Sequence, residues 1–153
     1  MDSLLKPTDR ELILTRDLKA PREKVFAAWT DPALAAQWWC PSHCTLVSCE
    51  MDVRAGGKWH RSMRVAGGSV ITKYGVYREV EPPARLVFTY GTDYGNGTRD
   101  IETVVSITLT EVLGGTRLTL WHTEFEGVAV RDEHVSGWTT TMDKLEAFCG
   151  EGT

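Results

Sequence analysis

The stretch GGTRLTLWHTEFEGVAVRDEHVSGWTTTMDKLEAFCG, residues 114–150, changes its apolar period part-way. Residues 116–125 read as a strand entered from the Gly114-Gly115 turn. After Gly127 the apolar positions Val135, Trp138, Met142, Leu145 and Cys149 recur at three- and four-residue steps, the stripe of an amphipathic helix. The spacing predicts a long helix over 127–150, ended by Gly150 and Gly152. At about twenty residues it spans roughly 30 Å.

Upstream, Gly56-Gly57, Gly67-Gly68, Pro82-Pro83 and Gly95-Asn96-Gly97 separate β-rich segments at hairpin-like intervals. Together with 116–125 the segments are 45–53, 57–65, 70–80, 85–91 and 101–111. No helical pattern lies between them, so they predict an antiparallel meander; parallel pairing would need crossovers of about a dozen residues. Such a sheet is strongly curved or nearly closed. The inner-face phase of 70–80 stays open, because Val70, Thr72, Tyr74, Val76 and Val80 compete with Tyr77.

Before the meander, ELILTRDL (11–18) reads as a strand, and Pro21 as the first position of a short helix, PREKVFAAW. Asp31 caps a second, DPALAAQWW, which Pro41 ends. Residues 1–10 read as a flexible N-terminus. The order is strand, two short helices, six strands and one long helix. It predicts an α+β fold in which a curved antiparallel sheet wraps a long C-terminal helix, as a single domain over 1–153.

A chain of 153 residues can bury about two thirds of its extended-chain surface without disulfide or metal. The sequence has 42% hydrophobic and 25% charged residues and no run long enough to span a membrane, which argues against disorder and membrane insertion. Seventeen basic against 21 acidic residues give a formal charge of -4, no footprint for a phosphate backbone, so nucleic acid is not expected as a partner. MDSLLKPTDR lacks the pattern of a secretory signal, which predicts a cytoplasmic protein with Cys40, Cys44, Cys49 and Cys149 reduced, and argues against glycosylation at Asn96.

Five segments carry a resemblance to a known family: APREKVFAAWTDPALAAQWW (20–39), AGGKWHRSMR (55–64), YGVYREVEPPARLVFTY (74–90), GGTRLTLWHTEF (114–125) and GWTTTMDKLEAF (137–148). Over nearly its whole length the chain resembles the START-like, or SRPBCC, superfamily, and within it the bacterial proteins called activator of heat-shock-chaperone ATPase homologue-like. The resemblance implies the helix-grip fold and a deep, mostly apolar cavity between the C-terminal helix and the sheet. It implies no single activity, since the superfamily spans binders, enzymes and co-chaperone domains. One departure is Arg61, in phase with Trp59 and Met63, where relatives often carry an aromatic or aliphatic residue. An inward Arg61 needs a carboxylate partner or an anionic ligand. The alternatives are a local bulge or a pairing with a structural Glu.

The expected cavity residues are Trp39, Trp59, Arg61, Met63, Tyr77, Phe88, Tyr90, His122, Trp138 and Met142, with Trp39 as a gate. Cys40, His43 and Cys44 offer soft ligands, but structural zinc takes four and no second pair is visible, so neither metal nor cofactor is expected. Gly56-Gly57-Lys58-Trp59 fails the phosphate-loop pattern, having Asp52 and Trp59 where Gly and Ser or Thr are required. Asp143 and Glu146 read as helix-surface charges. His122 is in phase with Leu118 and Leu120, and a protonated His122 beside Arg61 would favour anions.

Three functions follow. The first is non-catalytic binding of a small hydrophobic or aromatic ligand, with a carboxylate or phenolate meeting Arg61. The second is a module that interacts with a chaperone and regulates its ATPase. The third is a cyclase- or hydrolase-type enzyme with His122 or His134 as base. A homodimer stays open.

Overall fold

In the computed structural model, which describes residues 2–40 and 44–150, each apolar segment after residue 44 pairs with its sequence neighbour. The elements are β1 (Ser3–Thr8), β2 (Glu11–Leu18), α1 (Arg22–Thr30), α2 (Pro32–Ala35), β3 (Thr45–Met51), β4 (Lys58–Arg64), β5 (Val70–Glu81), β6 (Arg85–Asp93), β7 (Thr103–Val112), β8 (Gly115–Thr123) and α3 (Val128–Gly150). They form one curved antiparallel sheet in the order β1-β2-β8-β7-β6-β5-β4-β3, with α3 packed chiefly on β2 and α1. The long C-terminal helix and the meander are as expected. The helix stop at Pro41, the His43 candidate and the Gly152 terminator lie outside the described residues.

Two local expectations change. Residues 3–8, read as a flexible end, form β1 along β2, pairing Leu5 with Ile13 and Thr8 with Glu11. All six β1 residues are exposed, so no buried face printed a periodicity, and Pro7 is tolerable because β1 is an edge. Asp31 does cap α2, accepting from the Ala33 N–H at 2.9 Å. But α2 stops at Ala35 rather than running to Trp39; the chain turns there, with Trp38 N and Trp39 N both donating to Ala35 O. That turn drives both indoles inward.

The phase of β5 is now fixed. Lys73, Gly75 and Tyr77 face inward, while Thr72, Tyr74 and Val76 take the other side. The register shifts between Tyr77 and Glu79, a bulge that returns Val80 to the core. Gly75 lets β5 bend closely over β6: a Cβ there would lie 1.8 Å from the Thr89 carbonyl oxygen and 2.7 Å from Trp59 Nε1.

The core is aromatic. Trp39 stacks on Trp59 with centroids 5.1 Å apart, Trp29 meets Trp38 edge-on at 4.7 Å, and Phe88 meets Trp59 edge-on at 5.5 Å. Such pairs are worth about 0.5–1.5 kcal/mol each beyond their buried area. Gly75→Ala should cost about 3 kcal/mol, by overpacking β5 against β6 and Trp59. Denaturant unfolding checks this; a cost under about 1 kcal/mol would show that the sheet relaxes freely at this point.

Candidate functional site

Between α3 and the β4–β5 side of the sheet lies a partly enclosed cavity of about 190 Å³. β4 supplies Arg61 and Met63, and β5 supplies Ile71 and Lys73. Tyr90 comes from β6, and His134, Gly137, Trp138 and Thr141 from α3. Cys44, Val65, Tyr94 and Glu133 complete the wall, Glu133 being exposed. A more open hollow of about 470 Å³ lies between residues 19–23 and 111–115.

Four expected residues line the cavity: Arg61, Met63, Tyr90 and Trp138. Trp39, Trp59, Tyr77, Phe88, His122 and Met142 face inward too, but other side chains fill the space in front of them, and each is at most 2% exposed. Trp39 therefore cannot gate: it lies in the core stack, beneath the Arg61 guanidinium at 4.4 Å.

Arg61 is 2% exposed. The β4–β5 register runs unbroken from Lys58↔Val76 to Arg64↔Val70, and the nearby β3 irregularity falls between Leu46 and Ser48, so no bulge turns Arg61 outward. Its Nη2 donates to Tyr90 Oη at 3.1 Å, while Nε and Nη1 are buried without a partner. Lys73, also buried, donates from Nζ to Thr92 Oγ1 at 2.8 Å and sits 5.4 Å from the Tyr90 ring centre. No Asp or Glu among the described residues forms an ion pair with either cation. Buried Arg131 is a useful contrast, because it bonds both Asp132 and the Thr8 carbonyl. Burial alone would raise the Tyr90 phenol pKa; Arg61 and Lys73 outweigh it, and the phenol lies below its ordinary value.

His122, expected as a cavity residue, is fully buried and held by hydrogen bonds on both sides. Trp138 Nε1, which can only donate, gives a hydrogen bond to His122 Nδ1 at 2.9 Å. The ring proton therefore sits on Nε2 and is donated to Thr103 Oγ1 at 2.6 Å; Thr103 in turn donates to the Tyr90 carbonyl at 2.7 Å. Both ring nitrogens are used. Burial, then His134 and Lys73, hold its pKa well below the usual histidine value. His134 has Nδ1 2.9 Å from the Val130 carbonyl, which makes Nδ1 the donor and leaves Nε2 as an acceptor. Its pKa is lowered to about 4 by burial and by Lys73. A base at that value is poorly matched to neutral pH, so neither histidine supports the acid–base role of the third, enzymatic alternative.

Burial, the leading cause in each case, raises the thiol pKa of Cys40, Cys44, Cys49 and Cys149. Among the described residues no cluster of three metal-ligating side chains occurs, and no helix is long and apolar enough to cross a membrane. The paired Arg16 bonds Asp143 at 2.9 Å and Glu146 at 3.3 Å, fastening α3 to β2.

Lys73 is the main residue that sequence reasoning missed. Its neighbours on the opposite phase, Val70, Thr72, Tyr74 and Val76, are more apolar than its own. The in-phase Ile71 and Tyr77 were the available signal.

The family model described as Activator of Hsp90 ATPase homolog 1-like protein matches residues 19–150. Among solved structures, protein CV1439 from Chromobacterium violaceum is 26% identical with a TM-score of 0.83, covering 93% of this chain and 98% of that one. The AHSA1 protein from Silicibacter pomeroyi is 29% identical with a TM-score of 0.78, covering 90% and 95%. Protein NE0264 from Nitrosomonas europaea is 26% identical, also at 0.78, covering 94% and 96%. No curated protein matches the chain.

The two histidines set a pH dependence. Each has a folded pKa below its unfolded value of about 6.5, so the unfolded chain binds more protons on acidification. Stability is full above pH 6.5 and should fall below it, for His134 down to about pH 4, by up to about 1.4 kcal/mol per pH unit per histidine. Urea unfolding between pH 7 and 5 of wild type and His134→Gln measures the share due to His134. Equal slopes in the two proteins would contradict its depressed pKa.

Proposed function

This chain belongs to the activator of Hsp90 ATPase homolog 1-like family, and on that premise we propose that it binds a small hydrophobic or aromatic molecule between α3 and the sheet. The observation that carries this reading is the hollow itself. Protein interiors are close-packed, yet here about 190 Å³ stays open against Met63, Val65, Ile71, Tyr90 and Trp138. A ligand that displaces water from those side chains gains about 25 cal/mol per Å² of apolar surface removed from solvent. A few polar groups then orient it, the usual composition of a small-molecule site.

Gly137 offers a direct test, since it lines the cavity from the middle of α3. Gly137→Leu should fill the hollow while improving helix propensity, so the variant folds. Thermal-shift screening of single-ring aromatics should find compounds that stabilise the wild type by about 2.7 kcal/mol at a hundred times their Kd, and that leave Gly137→Leu unmoved. Equal shifts in both proteins would put the binding elsewhere.

The family's description also supports an ATPase-activator-like interaction module. Stimulation of a chaperone ATPase by wild type and Gly137→Leu alike, with no small-molecule binding, would favour that reading over the cavity.

A further inference from the structure

We infer that the cavity selects a small organic monocarboxylate, about one aromatic ring in size, whose carboxylate is received by Arg61 and Lys73. This rests on the cavity-binding reading above and adds the ligand's charge, head group and size. Arg61 and Lys73 line the same hollow, both are more than nine-tenths buried, and neither has a carboxylate partner among the described residues. Their hydrogen bonds go to hydroxyl oxygens, Tyr90 Oη and Thr92 Oγ1, not to carboxylates. Two further guanidinium nitrogens have no partner at all. A buried charge without a counter-ion is costly, and an incoming anion relieves that cost twice over.

Charge and volume narrow the class. With Glu133 exposed at the rim, the wall carries two cations and one carboxylate, so a monoanion brings the filled site to neutrality. Inorganic phosphate would leave Met63, Ile71 and Trp138 facing a polar oxyanion. An apolar cavity of about 150 Å³ takes benzene, so one of about 190 Å³ takes a single ring with a carboxylate head. Charge-assisted hydrogen bonds from guanidinium and ammonium to carboxylate are the strong ones, and they fix which end of the ligand points inward.

Calorimetric titration with benzoate, benzyl alcohol and inorganic phosphate tests the inference on wild type, Arg61→Met and Lys73→Met. Benzoate should bind the wild type about tenfold or more tighter than benzyl alcohol, and phosphate should not compete with it. Each variant should lose about tenfold in benzoate affinity and keep its benzyl alcohol affinity. Arg61→Met without ligand should melt no lower than wild type, because it removes an uncompensated buried charge from a site of similar volume. Benzyl alcohol binding as tightly as benzoate, or phosphate displacing benzoate, would overturn the carboxylate while leaving cavity binding intact. Absence of binding by all three probes would remove both readings. Should Arg61→Met fail to fold, unchanged benzoate affinity in Lys73→Met still overturns the inference.

Discussion

The hydrogen bond from Trp138 on α3 to His122 on β8 fixes the helix against the sheet. It spans only 16 residues of sequence but crosses from one layer to the other. Because an indole N–H can only donate, it also fixes the imidazole tautomer, and through Thr103 it reaches the Tyr90 carbonyl. Tyr90, the ring that Arg61 and Lys73 share, is thus held from behind by a chain with no free donor or acceptor. Breaking that chain would leave a buried polar atom unpaired, at about 1–3 kcal/mol.

A second consequence concerns where polarity is left unspent. Behind the Trp138–His122 bond the side chains of His122 and Thr103 are both paired. In front of it, toward β4 and β5, the surroundings become rich in donors and poor in acceptors: Arg61 has two unpartnered nitrogens, and the neighbouring Trp39 and Trp59 indoles have unpartnered N–H groups. The Arg61–Trp39 contact at 4.4 Å offsets part of the cost of that burial but supplies no counter-charge. A protein selected only for stability would replace such an arginine with an apolar residue. It stands at the wall of a hollow under α3, where the proposed ligand would supply the missing counter-charge.

The helix α3 and the meander were legible because each leaves a pattern: Trp138, Met142 and Leu145 bury one face, and glycine and proline turns separate the strands. Arg61 alternates with Trp59 and Met63 in the sequence, but that phase left a local bulge open, and only the unbroken β4–β5 register turns it inward. β1 left no signal, since both of its faces are exposed. Periodicity also could not say what an inward side chain meets. Trp39, Phe88 and Met142 point inward as expected but find packed neighbours, whereas Tyr90 and Trp138 find open space. On β5 the pattern left the phase open. Tyr74 lies over Gly91 on the outer face, so apolar residues gather on the side away from α3 and compete with Tyr77, and Lys73 on the cavity side was not singled out. For His122, sequence gives the residue's phase and not the indole that occupies its nitrogen.

The most direct measurement is a crystal structure with 4-bromobenzoate, in which the anomalous signal of bromine locates the ring and the density orients the head group. The ring is expected between Trp138 and Met63, with the carboxylate against Arg61 and Lys73. Bromine outside this cavity, or a carboxylate turned toward Glu133 and solvent, would contradict it.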